Sequence, residues 1–142
     1  MNIGIDMMGG DFAPLEAVKG VQLYLSGHNI PAKLTLIGNK EQLEKLVTEH
    51  KTPLENITIV HAEQVIGMHE HPTKALKEKQ QSSIAIGFQL LASGKMDAFI
   101  SAGNTGAMLV GALFSIKALE GVIRPTISSI IPKSEGGTGL LL

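Results

Sequence analysis

Short apolar runs alternate with helix-patterned segments along most of this 142-residue chain, and that alternation is the strongest constraint on its fold. Asn2–Asp6 reads as a buried strand. Pro14–Ser26 reads as a helix, with Pro14 in its first turn, apolar residues at Val18, Val21 and Leu25, and Gly27 ending it. Lys33–Ile37 is a second strand. Lys40–His50 is an amphipathic helix with Leu43, Leu46 and Val47 on one face, and Ile57–His61 is a third strand. After a loop over Glu63–His71, Pro72–Gln80 and Ser82–Ser93 read as two helices, the second closed by Gly94. Asp97–Ser101 is a fourth strand. Gly103 to about Leu119 is a long helix, apolar nearly all round and therefore expected to be buried. Thr126–Ile131 and Gly139–Leu142 read as two more strands. Continuous apolar strands separated by helices argue for a mainly parallel sheet covered on both faces.

A chain of this size is one domain or a piece of one, and buries roughly 68–70% of its unfolded surface. It has no cysteine, which excludes thiol catalysis and cysteine metal sites and fits a reducing, cytoplasmic setting. Twelve basic residues face thirteen acidic ones, and four Phe, one Tyr and no Trp offer few stacking platforms. Nucleic-acid binding is thereby disfavoured. The N-terminus lacks the charged segment and apolar stretch of a signal peptide. The longest apolar run, Ala107–Phe114, falls short of the about 20 residues a membrane span needs. The chain stops inside the apolar run Leu140–Leu142, although termini normally lie exposed. The expectation is that residues 1–142 form the N-terminal part of a larger domain.

In open parallel sheets ligands bind beyond the carboxyl ends of strands, and two Gly-rich turns fall there. The first is Asp6-Met7-Met8-Gly9-Gly10-Asp11-Phe12-Ala13-Pro14. Gly9 and Gly10 permit backbone angles closed to other residues. Asp6 and Asp11 would repel an anion, so they are assigned a positioning role. The second is Ser101-Ala102-Gly103-Asn104-Thr105-Gly106-Ala107, leading into the long helix. Free amides at a helix N-terminus favour anions, Gly103 and Gly106 allow close approach, and Asn104 and Thr105 add side-chain donors. The Gly-Lys-Ser/Thr ending of a P-loop and the G-x-G-x-x-G of a dinucleotide site are both absent. An ordinary capped helix start with small residues for packing accounts for the same pattern.

A phosphate site also needs cations. Lys74 and Lys77 share one face of the helix that follows Pro72, while Lys79, Ser82 and Ser83 share another; a solvated lysine face is the plain alternative. Ser82 also suits an N-cap. His69 and His71 are too few for a zinc site, which takes three or four ligands. His28, His50 and His61 read as polar groups at element ends. No metal and no cofactor is expected.

Three blocks together carry a resemblance: Asp6–Asp11 with Ala13-Pro14; Met68, Glu70 and Pro72 through Ala75, Lys79, Ser82 and Ser83; and Ser101–Ala107. In this order and spacing, with Arg124-Pro125, Pro132 and Gly139–Leu142 following, the chain resembles the bacterial phosphate acyltransferases of fatty acid and phospholipid synthesis. The resemblance covers essentially all 142 residues. Lys74 and Lys77 stand where that family often has Arg, which would bind phosphate in a different geometry. It implies a three-layer α/β/α sandwich with a Rossmann-like sheet, akin to phosphotransacetylases and isopropylmalate dehydrogenases. It also implies dimers, peripheral membrane association through sequence not present here, and acyl transfer from acyl-carrier-protein thioester to inorganic phosphate.

On that reading Asn104, Lys77 and Lys79 are the catalytic candidates. Gly9, Gly10, Ser82, Ser83, Gly103, Asn104, Thr105 and Gly106 are the phosphate-binding candidates. Phosphate is already an anion, so no nucleophile–base pair is required. The competing readings are a small-acyl phosphotransacetylase using coenzyme A, and a non-catalytic anion-binding or interaction domain. A dehydrogenase is disfavoured by the missing dinucleotide fingerprint.

Overall fold

A computed structural model describes residues 1–27 and 32–142; His28 lies outside the described residues. The elements are β1 (Asn2–Asp6), α1 (Leu15–Gly27), β2 (Lys33–Gly38), α2 (Lys40–Glu49), β3 (Ile57–His61), α3 (Pro72–Glu78), α4 (Ser83–Ala92), β4 (Ala98–Ile100), α5 (Thr105–Ser115), β5 (Ser129–Pro132) and β6 (Thr138–Leu141). Strands β1 to β4 form one parallel sheet in the order β3-β2-β1-β4.

Helices cover both faces of this sheet, and the alternation of side chains along β2 shows why all of it after Lys33 is buried. Leu34 and Leu36 meet Val18, Val21 and Leu25 of α1 and Leu43 and Val47 of α2. Ile37 packs on the opposite face with Ala62 and Met96, against Ile86 and Leu90 of α4. Helix α5 docks outside, where Ala107 joins Ala75, Ile84 and Phe88. The result is the three-layer α/β/α, Rossmann-like architecture. No helix among the described residues is long and apolar enough to cross a membrane.

The structure revises four expectations. Helix α1 starts at Leu15, one residue late, with Pro14 contributing the carbonyl that accepts from Val18. Helix α5 ends at Ser115 rather than Leu119, because Lys117 takes a left-handed φ of 69°. Only Ala107 and Gly111 of α5 are buried, and Phe114 is 72% exposed, so its apolar circumference does not mark a core helix. The last two strands leave the parallel sheet and pair antiparallel with each other. Five residues connect them, with Gly136 and Gly137 at φ of 83° and 82°, whereas a parallel pair needs a crossover of a dozen or more.

Leu36 lies fully buried on β2, between β1 and β3. Leu36→Ala should lower unfolding free energy by about 2–5 kcal/mol. Urea denaturation reads this as a lower midpoint at unchanged slope, and a loss under about 1 kcal/mol would contradict the packing described.

Candidate active site

The chain runs outward from β1 through β2 to β3, then returns to lay β4 on the other side of β1. That reversal creates a switch point between the carboxyl ends of β1 and β4, where open α/β sheets place ligands. Both Gly-rich turns meet there. A Cβ on Gly9 would lie 2.6 Å from the Gly103 nitrogen, 2.9 Å from its Cα and 2.7 Å from Asp6 Oδ2. The two turns therefore touch backbone to backbone, and only glycine fits. Gly10 beside it has a φ of +99°.

One buried carboxylate fixes this contact. Asp6 Oδ1 accepts from the Met8 amide at 2.9 Å, and Oδ2 accepts from Ser101 Oγ at 2.7 Å. Ser101 Oγ in turn accepts from the Gly103 amide at 2.9 Å. Asp6 thus holds its own turn and, through Ser101, the turn after β4.

Asn104 ties in the remaining block. Its Oδ1 caps α5 by accepting from the Ala107 amide at 2.9 Å. Its Nδ2 donates to the carbonyls of Gly67 and Glu70, each at 3.0 Å, and of Met68 at 3.4 Å. Glu70 Oε1 accepts from the Gly67 amide and from Lys79 Nζ, both at 2.6 Å, and Lys79 also donates to the Val65 carbonyl at 2.8 Å. The bond from Lys79 and the Gly67 amide hold the Glu70 carboxyl below its ordinary pKa, against a smaller opposing effect of burial. Pro72 packs onto Gly106, seating the start of α3 on the start of α5.

Asp6, Gly9, Gly10, Gly103, Asn104, Thr105 and Gly106 are thus brought together. Thr105 is exposed and lines a cavity with Ser101 and Gly103. With Ala107 capped, the Thr105 and Gly106 amides in the first turn of α5 have no intrahelical acceptor. Asn104 is only 4% exposed and its amide is committed to three carbonyls, so in this conformation it positions a loop rather than facing a ligand.

The other candidates are placed apart from the two turns. Lys77 lies in a separate groove among α3, α4 and α5. Lys79 is turned to Glu70, and Lys74 stands 4.0 Å from Glu78. Ser82 is buried and accepts from the Ala85 amide at the start of α4; Ser83 is buried with its hydroxyl unpartnered. Asp11 is exposed in the turn before α1. His61 accepts from the Lys40 amide, and His71 sits at the N-cap position of α3 without a side-chain bond. Glu70 was missed as a site residue: its role depends on a fold-back onto Lys79 nine positions later, which no helical or strand spacing announces.

The family described as "Fatty acid synthesis protein" matches residues 1–142. A phosphate acyltransferase of Thermoanaerobacterium thermosaccharolyticum is 45% identical over 141 residues, covering 99% of this chain and 40% of that protein. Phosphate acyltransferases of Dictyoglomus turgidum and Geobacter sulfurreducens are 45% identical over 132 residues (93% of this chain, 39% of that protein) and 38% identical over 141 (99% and 40%). The chain therefore spans about 40% of the length of the curated relatives it matches.

Gly9→Ala should force the two turns apart, since the atoms it meets are backbone and a pinned carboxylate. A destabilisation of about 1–3 kcal/mol is expected; a neutral variant would show that the turns do not touch in solution. A second test concerns pH. Because the Glu70 pKa is lowered, its hold on Gly67 and Lys79 is complete above the ordinary carboxylate value of about 4.3 and is lost as pH falls through the lower one. The Gly67 amide resonance should titrate with a midpoint below that ordinary value, and a midpoint at or above it would contradict the contact.

Proposed function

This chain belongs to the fatty acid synthesis protein family, and on that premise we propose that it carries the phosphate-handling part of an acyltransferase. The reaction moves a long-chain acyl group from an acyl-carrier-protein thioester onto inorganic phosphate. A phosphate oxygen attacks the thioester carbonyl, the carbon–sulfur bond breaks, and acyl phosphate and the free carrier thiol leave. The family name and the relatives' name, phosphate acyltransferase, support this reading.

The observation that carries it is the contact of Gly9 with Gly103 at the switch point. That contact closes the two turns on each other and sets the start of α5 at the switch point, where its first amides can donate to an anion. The protein's task is to hold phosphate against the carbonyl and to stabilise the oxyanion that develops. In this reading Thr105 and the amides of Thr105 and Gly106 meet the phosphate, with Gly9 and Gly103 setting the close approach of the two turns and Gly10 completing the first. Asp6 and Asn104 fix these groups in place, and Asp11 borders the first turn. Lys79, its charge balanced by Glu70, braces the 67–70 loop. Lys77, on the exposed face of α3, suits an acidic carrier protein. Ser82 and Ser83 support the loop by shaping the start of α4. The 142 residues act as part of a larger domain, and a second copy of the chain is a further partner on the same reading.

The test is acyl phosphate formation by the intact protein, trapped as hydroxamate, from palmitoyl-acyl-carrier protein or acetyl-coenzyme A with phosphate. Product from the palmitoyl donor alone is expected. Asn104→Asp keeps an oxygen to cap α5 but removes the donors to Gly67, Met68 and Glu70, and should lower turnover by about 10²-fold through misplacement alone. Wild-type turnover in that variant, or product from acetyl-coenzyme A only, would overturn the assignment.

A further inference from the structure

Beside the switch point lies an open cavity of about 310 Å³, within the range of small-molecule sites. Ser101, Gly103 and Thr105 line its polar end. Met108, Leu109 and Ala112 continue it along α5, and Thr126 and Ile127 close it from the segment before β5. Thr105, Met108, Leu109 and Ala112 are spaced i, i+3, i+4 and i+7, so they form one stripe of the helix. The stripe is polar at its first residue and apolar for the next two turns, over about 10 Å. Met108, Leu109 and Ala112 remain partly exposed to this space. Among the described residues, no charged side chain lines it.

We propose that this cavity is the acyl-chain subsite: the reacting carbonyl lies at the Ser101–Gly103–Thr105 end and the hydrocarbon tail runs along α5 toward Ala112 and Ile127. The inference rests on the acyl-transfer reading above and adds where the tail goes. Three features support it. The polar end is formed by residues of the turn after β4, which Gly9 touches, so an acyl group seated here has its carbonyl beside the proposed phosphate position. Along α5 the lining changes from Thr105 to the apolar Met108, Leu109 and Ala112, in the order an acyl carbonyl and its chain would require. Met108, an unbranched and adaptable side chain, sits where the two regimes meet. The larger groove holding Lys77, Phe88 and Phe114 shares no residue with either turn, so a tail placed there would separate from its carbonyl.

Two experiments on the intact protein test this. Palmitic acid bearing a terminal diazirine is photolysed on the protein, and the label is located by peptide mass spectrometry. Label on Met108–Ala112 or Thr126–Ile127 supports the subsite, even in a preparation that makes no acyl phosphate, in which case the reaction reading alone falls. Label confined to α3 or Phe114 overturns it. In parallel, Ile127→Trp, at a half-exposed position that tolerates a larger side chain, narrows the apolar end. Its kcat/KM should drop about tenfold for a palmitoyl donor relative to an octanoyl donor, with the KM for phosphate unchanged. An equal effect on both donors, or none on either, overturns the subsite while leaving the transfer reaction in place.

Discussion

The architecture of the candidate site depends on a contact between two stretches of bare backbone. Gly9 and Gly103 come so close that no Cβ fits between them, and the Asp6 carboxylate reaches both sides of the seam. A buried carboxylate needs hydrogen bonds in place of the water it loses, and Met8 and Ser101 supply them. The same bonds set the two turns. Packing of the sheet brings them near each other, and this polar seam determines how near.

Asn104 shows how one side chain can serve two ends of a structure. Its oxygen begins α5, and its nitrogen collects the carbonyls of the preceding loop. A donor so occupied offers nothing to a ligand in the same conformation, but it makes the helix start and the 67–70 loop move as one piece. Glu70 and Lys79 extend that piece toward α3. The network is polar, buried at Asn104 and half-buried at Glu70 and Lys79, and its shared partners favour a single arrangement over several.

Much of the sheet was legible in the sequence because burial on both faces leaves an unmistakable mark. Leu34, Leu36 and Ile37 fall within four residues, broken only by Thr35, and the amphipathic α2 shows its core face at Leu43 and Val47. The reading failed where local pattern and tertiary context part. The apolar circumference of α5 suggested a core helix, yet periodicity cannot say whether a neighbour is present to cover it. The hairpin was read as two strands without their direction, which is set by the short connection between them. Within the site, the glycines and Asp6 were legible as turn chemistry. The saturation of the Asn104 amide and the inward turn of Lys79 were not, since both depend on carbonyls about fourteen to thirty-seven positions away.

The Asp6–Ser101 bond spans 95 positions of sequence. Strands β1, β2 and β3 with their helices complete one sheet face from neighbouring segments, whereas the seam must wait for β4 to close a long loop. Closing such a loop is entropically unfavourable until its contacts form. During synthesis on the ribosome, a nascent chain can thus hold three paired strands and a formed core before the two turns have met. The polar seam is the late part of the fold, absent until the fourth strand has docked.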